Sequence, residues 1–146
     1  MGVRLQYVLL LLIGIFVLHF AAVYSGLYDL QIRMGFVWWD NVLHAGVGIT
    51  FGLLWLWFLE KMEWKSSPRF AGLSTFGFVF LLAAGWELAE YALLTFAPDI
   101  AHSLKLYSVS LNEATADTLS NLFGALLLLW LLQRKSHSLD KPEAGR

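Results

Sequence analysis

The sequence predicts an all-α protein, an antiparallel bundle of four transmembrane helices with both termini on the cytoplasmic side. Two observations predict this fold class. Hydrophobic residues make up 58% of the 146 residues and charged residues only 14%. Four long apolar runs, at 5–24, 42–59, 70–96 and 114–132, each come close to the about 20 residues that a membrane helix needs. A soluble domain of this length could not bury so much apolar surface.

The four runs are predicted to be helices because none shows the period-two alternation of a membrane β-strand. Together they form one transmembrane domain, residues 1–133. The remaining residues, 134–146, are polar and include Pro142 and Gly145. We therefore expect a disordered cytoplasmic tail there.

Basic residues predict the orientation, because cytoplasmic loops carry an excess of lysine and arginine. Both termini and the second loop fall on one side of the predicted topology, and the first and third loops fall on the other. Only Arg33 and Lys105 lie on the second side. The first side holds Arg4, Lys61, Lys65, Arg69, Arg134, Lys135, Lys141 and Arg146. The sequence thus predicts an inner-membrane protein with both termini in the cytoplasm.

Several classes of site are missing from the sequence. The chain has no cysteine, which excludes disulfides, thiolate metal sites and cysteine nucleophiles. It has no Gly-x-Ser-x-Gly, no Gly-rich phosphate loop ending in Lys-Ser/Thr, and no His-Glu-x-x-His. The net charge of -1 and the lack of a basic patch give no case for a nucleic-acid partner.

Polar residues within the spans lie at similar depths. With a rise of about 1.5 Å per residue, they lie roughly 5 to 13 Å from the outer ends of the four helices. They are His19, His44, Glu87, Glu90, Asp117 and Asn121. Since the inner halves of the spans carry almost no such groups, the sequence predicts a polar layer in the outer half of the bilayer.

Spacing places these residues on shared helix faces. Asp40 and His44 are four residues apart, as are Asp117 and Asn121, so each pair shares a face. An ionised carboxylate at bilayer depth costs about 2.5–3.5 kcal/mol. Glu87 and Glu90 have no basic residue in their own span to offset that cost. We therefore expect both glutamates to face the bundle interior, toward a histidine, a proton or a metal ion.

The predicted site supports three kinds of chemistry. Carboxylates with one imidazole suit Mn, Fe or Zn, and a bound ion could activate water to hydrolyse a lipid-linked group. Without metal, the same residues could act as a general acid and base, or as a proton relay. The catalytic and metal-ligand candidates are His44, Glu87, Glu90 and Asp117, with Asp40 as a further ligand and Asn121 in support.

Some of these residues also have purely structural interpretations. Asp40 could be the N-cap of the second span. Ser110 and Glu113 have the spacing of a capping box, and the helix dipole alone could favour Asp117. A single intramembrane histidine such as His19 is more often a satisfied interior residue than a ligand.

Small residues predict close helix packing. Gly48 and Gly52 form a small-xxx-small step on the second span, and Gly124 and Ala125 follow Asn121 on the fourth. Asn121 could therefore be an interhelical hydrogen-bonding residue instead of a functional one.

Three segments carry a family resemblance: Trp39-Asp40-Asn41 with His44 and Gly48; Trp86-Glu87 with Glu90-Tyr91; and Glu113, Asp117 and Asn121 with Gly124-Ala125. Their order and placement resemble VanZ-like and YjdF-type bacterial membrane proteins. Glu113 stands where that family pattern has aspartate. The resemblance implies a cell-envelope protein, linked through VanZ-like proteins to resistance against teicoplanin-type glycopeptides, and supports the site more than any reaction.

Two functions follow as hypotheses. The first is an envelope protein whose polar site binds, or acts on, a lipid or lipid-linked headgroup at the outer face. The second is a non-catalytic accessory subunit of a larger membrane complex, in which the polar layer serves packing alone. The loop at 97–112 could cover the outer end of the bundle.

Overall fold

The computed structural model describes residues 3–33, 38–64, 67–103, 106 and 110–139. Lys65, Lys105, Lys141 and Arg146, which contribute to the predicted orientation, lie outside them. The described chain is helical and contains no strand. Its helices are α1 (Leu5–Tyr24), α2 (Leu27–Arg33), α3 (Trp38–Lys61), α4 (Pro68–Phe96), α5 (Pro98–Ser103) and α6 (Leu111–Leu139).

The predicted all-α bundle of four long apolar helices is confirmed, and the cytoplasmic location of both termini stays a prediction. Four helices, α1, α3, α4 and α6, are long and apolar enough to cross a membrane. They pack into a bundle, and many of their large hydrophobic side chains face outward, as lipid contact requires. At one end of this bundle, which we call the site end, α1 and α4 finish and α3 and α6 begin.

The helices extend beyond the apolar runs because local polar groups complete their ends. The Ser67 side chain accepts a hydrogen bond from the Phe70 N–H at 3.2 Å, and Pro68 occupies the first helical position of α4. At α6 the predicted capping box is confirmed. The Ser110 N–H donates to Glu113 Oε2, and the Glu113 N–H donates to Ser110 Oγ, both at 3.1 Å.

Two local predictions differ from the structure. Asp40 is not the N-cap of α3, because that helix already begins at Trp38. In addition, α6 continues to Leu139, so residues 134–139, expected in the disordered tail, are helical. The Arg134 guanidinium lies 4.7 Å from the centre of the Trp130 ring, a cation–π contact one turn apart that favours this extension.

The centre of the bundle is α3, which packs against α1, α4 and α6. Its contact with α6 is the closest, because Gly48 faces the Asn121 backbone and Gly124 faces the Ala45 backbone with no room for a side chain between them. The two glycines therefore bring α3 and α6 into backbone contact, as the small residues of both spans predict. The helices α3 and α6 run in the same direction, because α4 lies between them in the chain and runs the opposite way.

In the apolar middle of the bundle, buried polar side chains have hydrogen-bond partners. Thr50 and Thr75 are fully buried, and each hydroxyl donates to a carbonyl of its own helix, Gly46 at 2.9 Å and Ala71 at 2.7 Å. The Trp55 indole donates to Ser74 Oγ at 3.0 Å across α3 and α4. Polar groups without such local partners therefore concentrate at the site end.

Candidate functional site

Three predicted site residues meet where α3 and α6 begin. His44 Nε2 lies 3.8 Å from Asp40 Oδ2 and 3.8 Å from Asp117 Oδ1. Asp40 reaches the ring from one turn earlier on α3, and Asp117 reaches it from the second turn of α6. We call Asp40, His44 and Asp117 the polar cluster. It depends directly on the close approach of α3 and α6.

The polar cluster is partly shielded. The side chains of His44 and Asp117 are 17% and 15% exposed, whereas that of Asp40 is 33% exposed. The cluster therefore opens on the Asp40 side, at the end of the bundle, and closes toward the apolar middle. A ligand arriving from the membrane surface meets Asp40 first.

Asn121 holds the other edge of the imidazole. Its amide nitrogen Nδ2 lies 2.9 Å from His44 Nδ1 and 2.9 Å from the backbone oxygen of Asp117. The side chain is 3% exposed. Asn121 is therefore an interhelical hydrogen-bonding residue, one of the two roles that the sequence allows, and its partner His44 belongs to the polar cluster.

A second row of hydrogen bonds joins α1 to the cluster through Tyr28 of α2. The Tyr28 hydroxyl donates to Asp40 Oδ1 at 3.1 Å. Its oxygen must then accept the N–H of His19 Nδ1, also at 3.1 Å. His19 is thus a satisfied residue that touches the cluster only through Tyr28. Tyr28 is not among the candidate residues of the sequence, because no spacing rule relates it to Asp40.

Replacing Tyr28 by phenylalanine is expected to reduce the free energy of unfolding by about 1 kcal/mol, the net worth of one hydrogen bond. Burial, followed by the charge and hydrogen bond of Asp40, raises the pKa of Tyr28 above its ordinary value of 10.0. Folded Tyr28 therefore keeps its proton at a pH where the unfolded chain has lost it. The difference in unfolding free energy between wild type and Tyr28→Phe should have its full value below pH 10 and decrease above pH 10. Denaturant titrations at several pH values measure this difference.

Next to Tyr28, Gln31 caps the start of α3. Its Oε1 accepts the Trp39 N–H at 3.1 Å, and the side chain is 2% exposed. Gln31 Nε2 and the indole nitrogen of Trp39 are buried without a hydrogen-bond partner. Gln31 is not among the candidate residues of the sequence, because a glutamine in a short loop helix carries no depth or spacing signal.

Glu87 and Glu90 of α4 lie apart from the polar cluster. Both interact electrostatically with Asp40 and Asp117, but neither belongs to the group whose ligand atoms converge. The Glu90 carboxylate accepts a hydrogen bond from the side chain of Trp86. Glu87 is 9% exposed, and its Oε1 has no hydrogen-bond partner. Glu87 is buried in the bundle, as the cost of burial predicts, whereas Glu90 is only half-buried. The catalytic and metal-binding roles of both stay predictions.

Glu87→Met is expected to raise the free energy of unfolding by about 1–3 kcal/mol, because it removes a buried oxygen without a partner. Glu90→Met is the matched control. It removes a carboxylate that accepts a hydrogen bond, so no gain in stability is expected. Reversible unfolding in detergent micelles measures both. A loss of stability in Glu87→Met would show that the carboxylate has a stabilising partner after all.

The polar cluster has the donor set for either a metal ion or a proton. One ligand atom from each of Asp40, His44 and Asp117 lies within 4.8 Å of the other two. With metal–ligand bonds of about 2.0–2.2 Å, two ligands of a tetrahedral ion lie about 3.4 Å apart, so small side-chain shifts would complete such a site. Two carboxylates around one imidazole are equally a group that can hold or release a proton.

Comparison with known proteins places the chain in a broad class. A family model described as "Predicted membrane protein (DUF2238)" matches residues 1–138. That description carries neither a VanZ nor a YjdF designation, so the more specific resemblance stays a prediction. No curated protein and no solved structure matches the chain.

Proposed function

The chain belongs to the DUF2238 family of predicted membrane proteins, and we propose a function for it from the geometry of the polar cluster. The cluster is an acid–base site of the cell envelope. Asp40 and Asp117 exchange a proton with a lipid or lipid-linked headgroup, and His44 holds the two carboxylates together. The observation that carries this proposal is the equal 3.8 Å distance from His44 Nε2 to one oxygen of each carboxylate.

The position of the cluster supports a headgroup as its reaction partner. Asp40 lies in the first turn of α3, and Asp117 in the second turn of α6. This depth corresponds to the boundary between headgroups and acyl chains when the site end faces outward. The exposed Tyr24 and Trp38 side chains at the same end fit an aromatic interface belt.

A divalent ion is the second candidate ligand, favoured by the convergence of three donor atoms within 4.8 Å. Mn, Fe or Zn would suit one imidazole and two carboxylates. If purified protein contains stoichiometric metal and His44→Ala loses it, the polar cluster is a metal site and not a proton-exchange site. Metal-free protein that copurifies with fixed partners regardless of changes in the cluster would indicate the accessory-subunit role.

Infrared difference spectroscopy between two pH values tests the acid–base proposal on purified protein in phosphatidylcholine nanodiscs. The wild type should show a carboxylic C=O band that disappears in Asp117→Asn. Glu60→Gln is the control, since Glu60 is an exposed carboxylate at the opposite end of α3. A band that persists in Asp117→Asn would contradict the proposal.

The same measurement tests the headgroup. Replacing phosphatidylcholine by phosphatidylethanolamine supplies a headgroup that can donate a proton, and the band assigned to Asp117 should then shift. A band that depends on Asp117 but not on the lipid would leave the acid–base site intact and show that a headgroup is the wrong partner.

A further inference from the structure

The contacts of Asn121 determine which hydrogen atoms His44 carries. A backbone carbonyl can only accept a hydrogen bond, so the Asn121 atom 2.9 Å from the Asp117 oxygen must be the amide nitrogen. The same nitrogen faces His44 Nδ1 at 2.9 Å. The orientation of the amide is thus fixed by its hydrogen bond to the Asp117 carbonyl.

His44 Nδ1 must then be an acceptor. Asn121 uses one amide hydrogen for the Asp117 carbonyl and has the second available for the ring. A ring nitrogen that receives an N–H presents its lone pair, so the hydrogen of the neutral imidazole lies on Nε2. Nε2 is the atom that faces Asp40 and Asp117. An imidazolium ring is disfavoured, because its second N–H would point at the N–H of Asn121.

We propose that Asn121 is the positioning residue that reserves the polar cluster for a proton and against a divalent cation. It does so by holding His44 in the tautomer whose Nε2–H points toward the two carboxylates. This inference deepens the proposed acid–base function and rests on it for its biological meaning. The hydrogen on His44 Nε2 then faces the two carboxylates at 3.8 Å, and the exchanging groups are Asp40 and Asp117.

The selection against metal follows from the same tautomer. A metal bound among the three side chains needs the lone pair of Nε2 and therefore a hydrogen on Nδ1. Metal-ligating histidines almost always donate that second N–H to a carboxylate, a carbonyl or water. Asn121 offers Nδ1 a donor instead. Turning the amide would provide an acceptor, but only by losing the hydrogen bond to the Asp117 carbonyl.

Asn121→Asp should reverse the selection. A carboxylate at this position accepts the N–H of His44 Nδ1, which turns the Nε2 lone pair toward Asp40 and Asp117. The variant should bind Zn²⁺ about 10–100-fold more tightly than wild type, the usual effect of such a supporting carboxylate. Asn41→Asp is the matched control, because it makes the same replacement on α3 at a residue that contacts Ser120. It should leave Zn²⁺ affinity within a factor of two or so, since the supporting carboxylate does not reach the ring.

Nitrogen-15 NMR of histidine-labelled, full-length protein in nanodiscs measures the tautomer directly, with the His44 signals assigned by their loss in His44→Gln. Wild type should show a pyridine-type Nδ1 and a pyrrole-type Nε2, and Asn121→Asp the reverse. A pyrrole-type Nδ1 or an imidazolium ring in wild type would overturn the inference, and that outcome does not depend on whether the variant folds.

The two proposals fail separately. The expected tautomer without an Asp117-dependent infrared band would sustain the role of Asn121 and refute the acid–base function. An Asp117-dependent infrared band together with the opposite His44 tautomer would support the acid–base function and refute the role of Asn121. Equal Zn²⁺ affinity in Asn121→Asp and wild type, with the reversed tautomer observed, would refute the selection against metal.

Discussion

Gly48→Leu is expected to leave little folded protein in the membrane. A β-carbon at Gly48 would overlap the backbone of Asn121, and a backbone cannot rotate away as a side chain can. Overpacking of a well-packed core typically costs about 1–3 kcal/mol, and a clash against backbone belongs at or above the top of that range. The cost arises at the α3–α6 contact, so the polar cluster is lost together with the fold. Yield of monodisperse protein and reversible unfolding in detergent measure the loss.

Gly77→Leu is the matched control for this prediction. Gly77 lies within α4, and a β-carbon there would meet nothing within 4 Å. The same replacement should therefore be tolerated, because it gains helix propensity without a clash. Equal losses in Gly48→Leu and Gly77→Leu would show that α3 and α6 do not approach each other as described.

The second large effect is expected at Asn121. Asn121→Ala removes hydrogen bonds to His44 and to the Asp117 carbonyl from a site that is 3% exposed. Leaving a buried group without its partner costs about 1–3 kcal/mol, so the loss of two bonds should exceed the effect of most single substitutions. A double-mutant cycle with His44→Ala should give a coupling energy of about 1–2 kcal/mol, within the range for residues in contact.

Thr115→Ala provides the control cycle. Thr115 is exposed on the same helix, and its hydroxyl donates to the Leu111 carbonyl at 2.6 Å. Its effect should add to that of His44→Ala within about 0.5 kcal/mol, as for independent sites. An equal coupling energy in both cycles would mean that His44 and Asn121 do not contact each other directly.

The bundle could be predicted from the sequence because a membrane imposes a simple length and polarity requirement on each span. The boundaries were less accurate. Hydropathy ends a span at the first polar residue, whereas Ser67 and Ser110 begin helices with polar side chains. The direct packing of α3 on α6 depends on the positions of Gly48 and Gly124. The spacing of small residues within one helix shows that this helix can pack closely against another, but it does not identify the neighbouring helix.

The polar cluster was predictable in part, for reasons that its residues illustrate. Asp40 and His44 share a face of one helix, which the sequence shows directly. The meeting with Asp117 required only equal depth on another helix. Depth alone does not give rotation about the helix axis, however, and Glu87 has a suitable depth but faces a different part of the interior. Tyr28 lies outside the spans, where neither depth nor period applies.

The most direct measurement of the central claim, that α3 and α6 meet at the site end, is a cysteine crosslink. The chain has no native cysteine, so a pair of introduced thiols reports without background. Asn41 and Ser120 lie on the two helices with side-chain oxygens 3.4 Å apart, and Asn41→Cys with Ser120→Cys should crosslink readily under mild oxidation. Leu126 faces outward on α6, so Asn41→Cys with Leu126→Cys should not. Failure of the first pair while both thiols remain reactive, or equal crosslinking of the two pairs, would contradict the account.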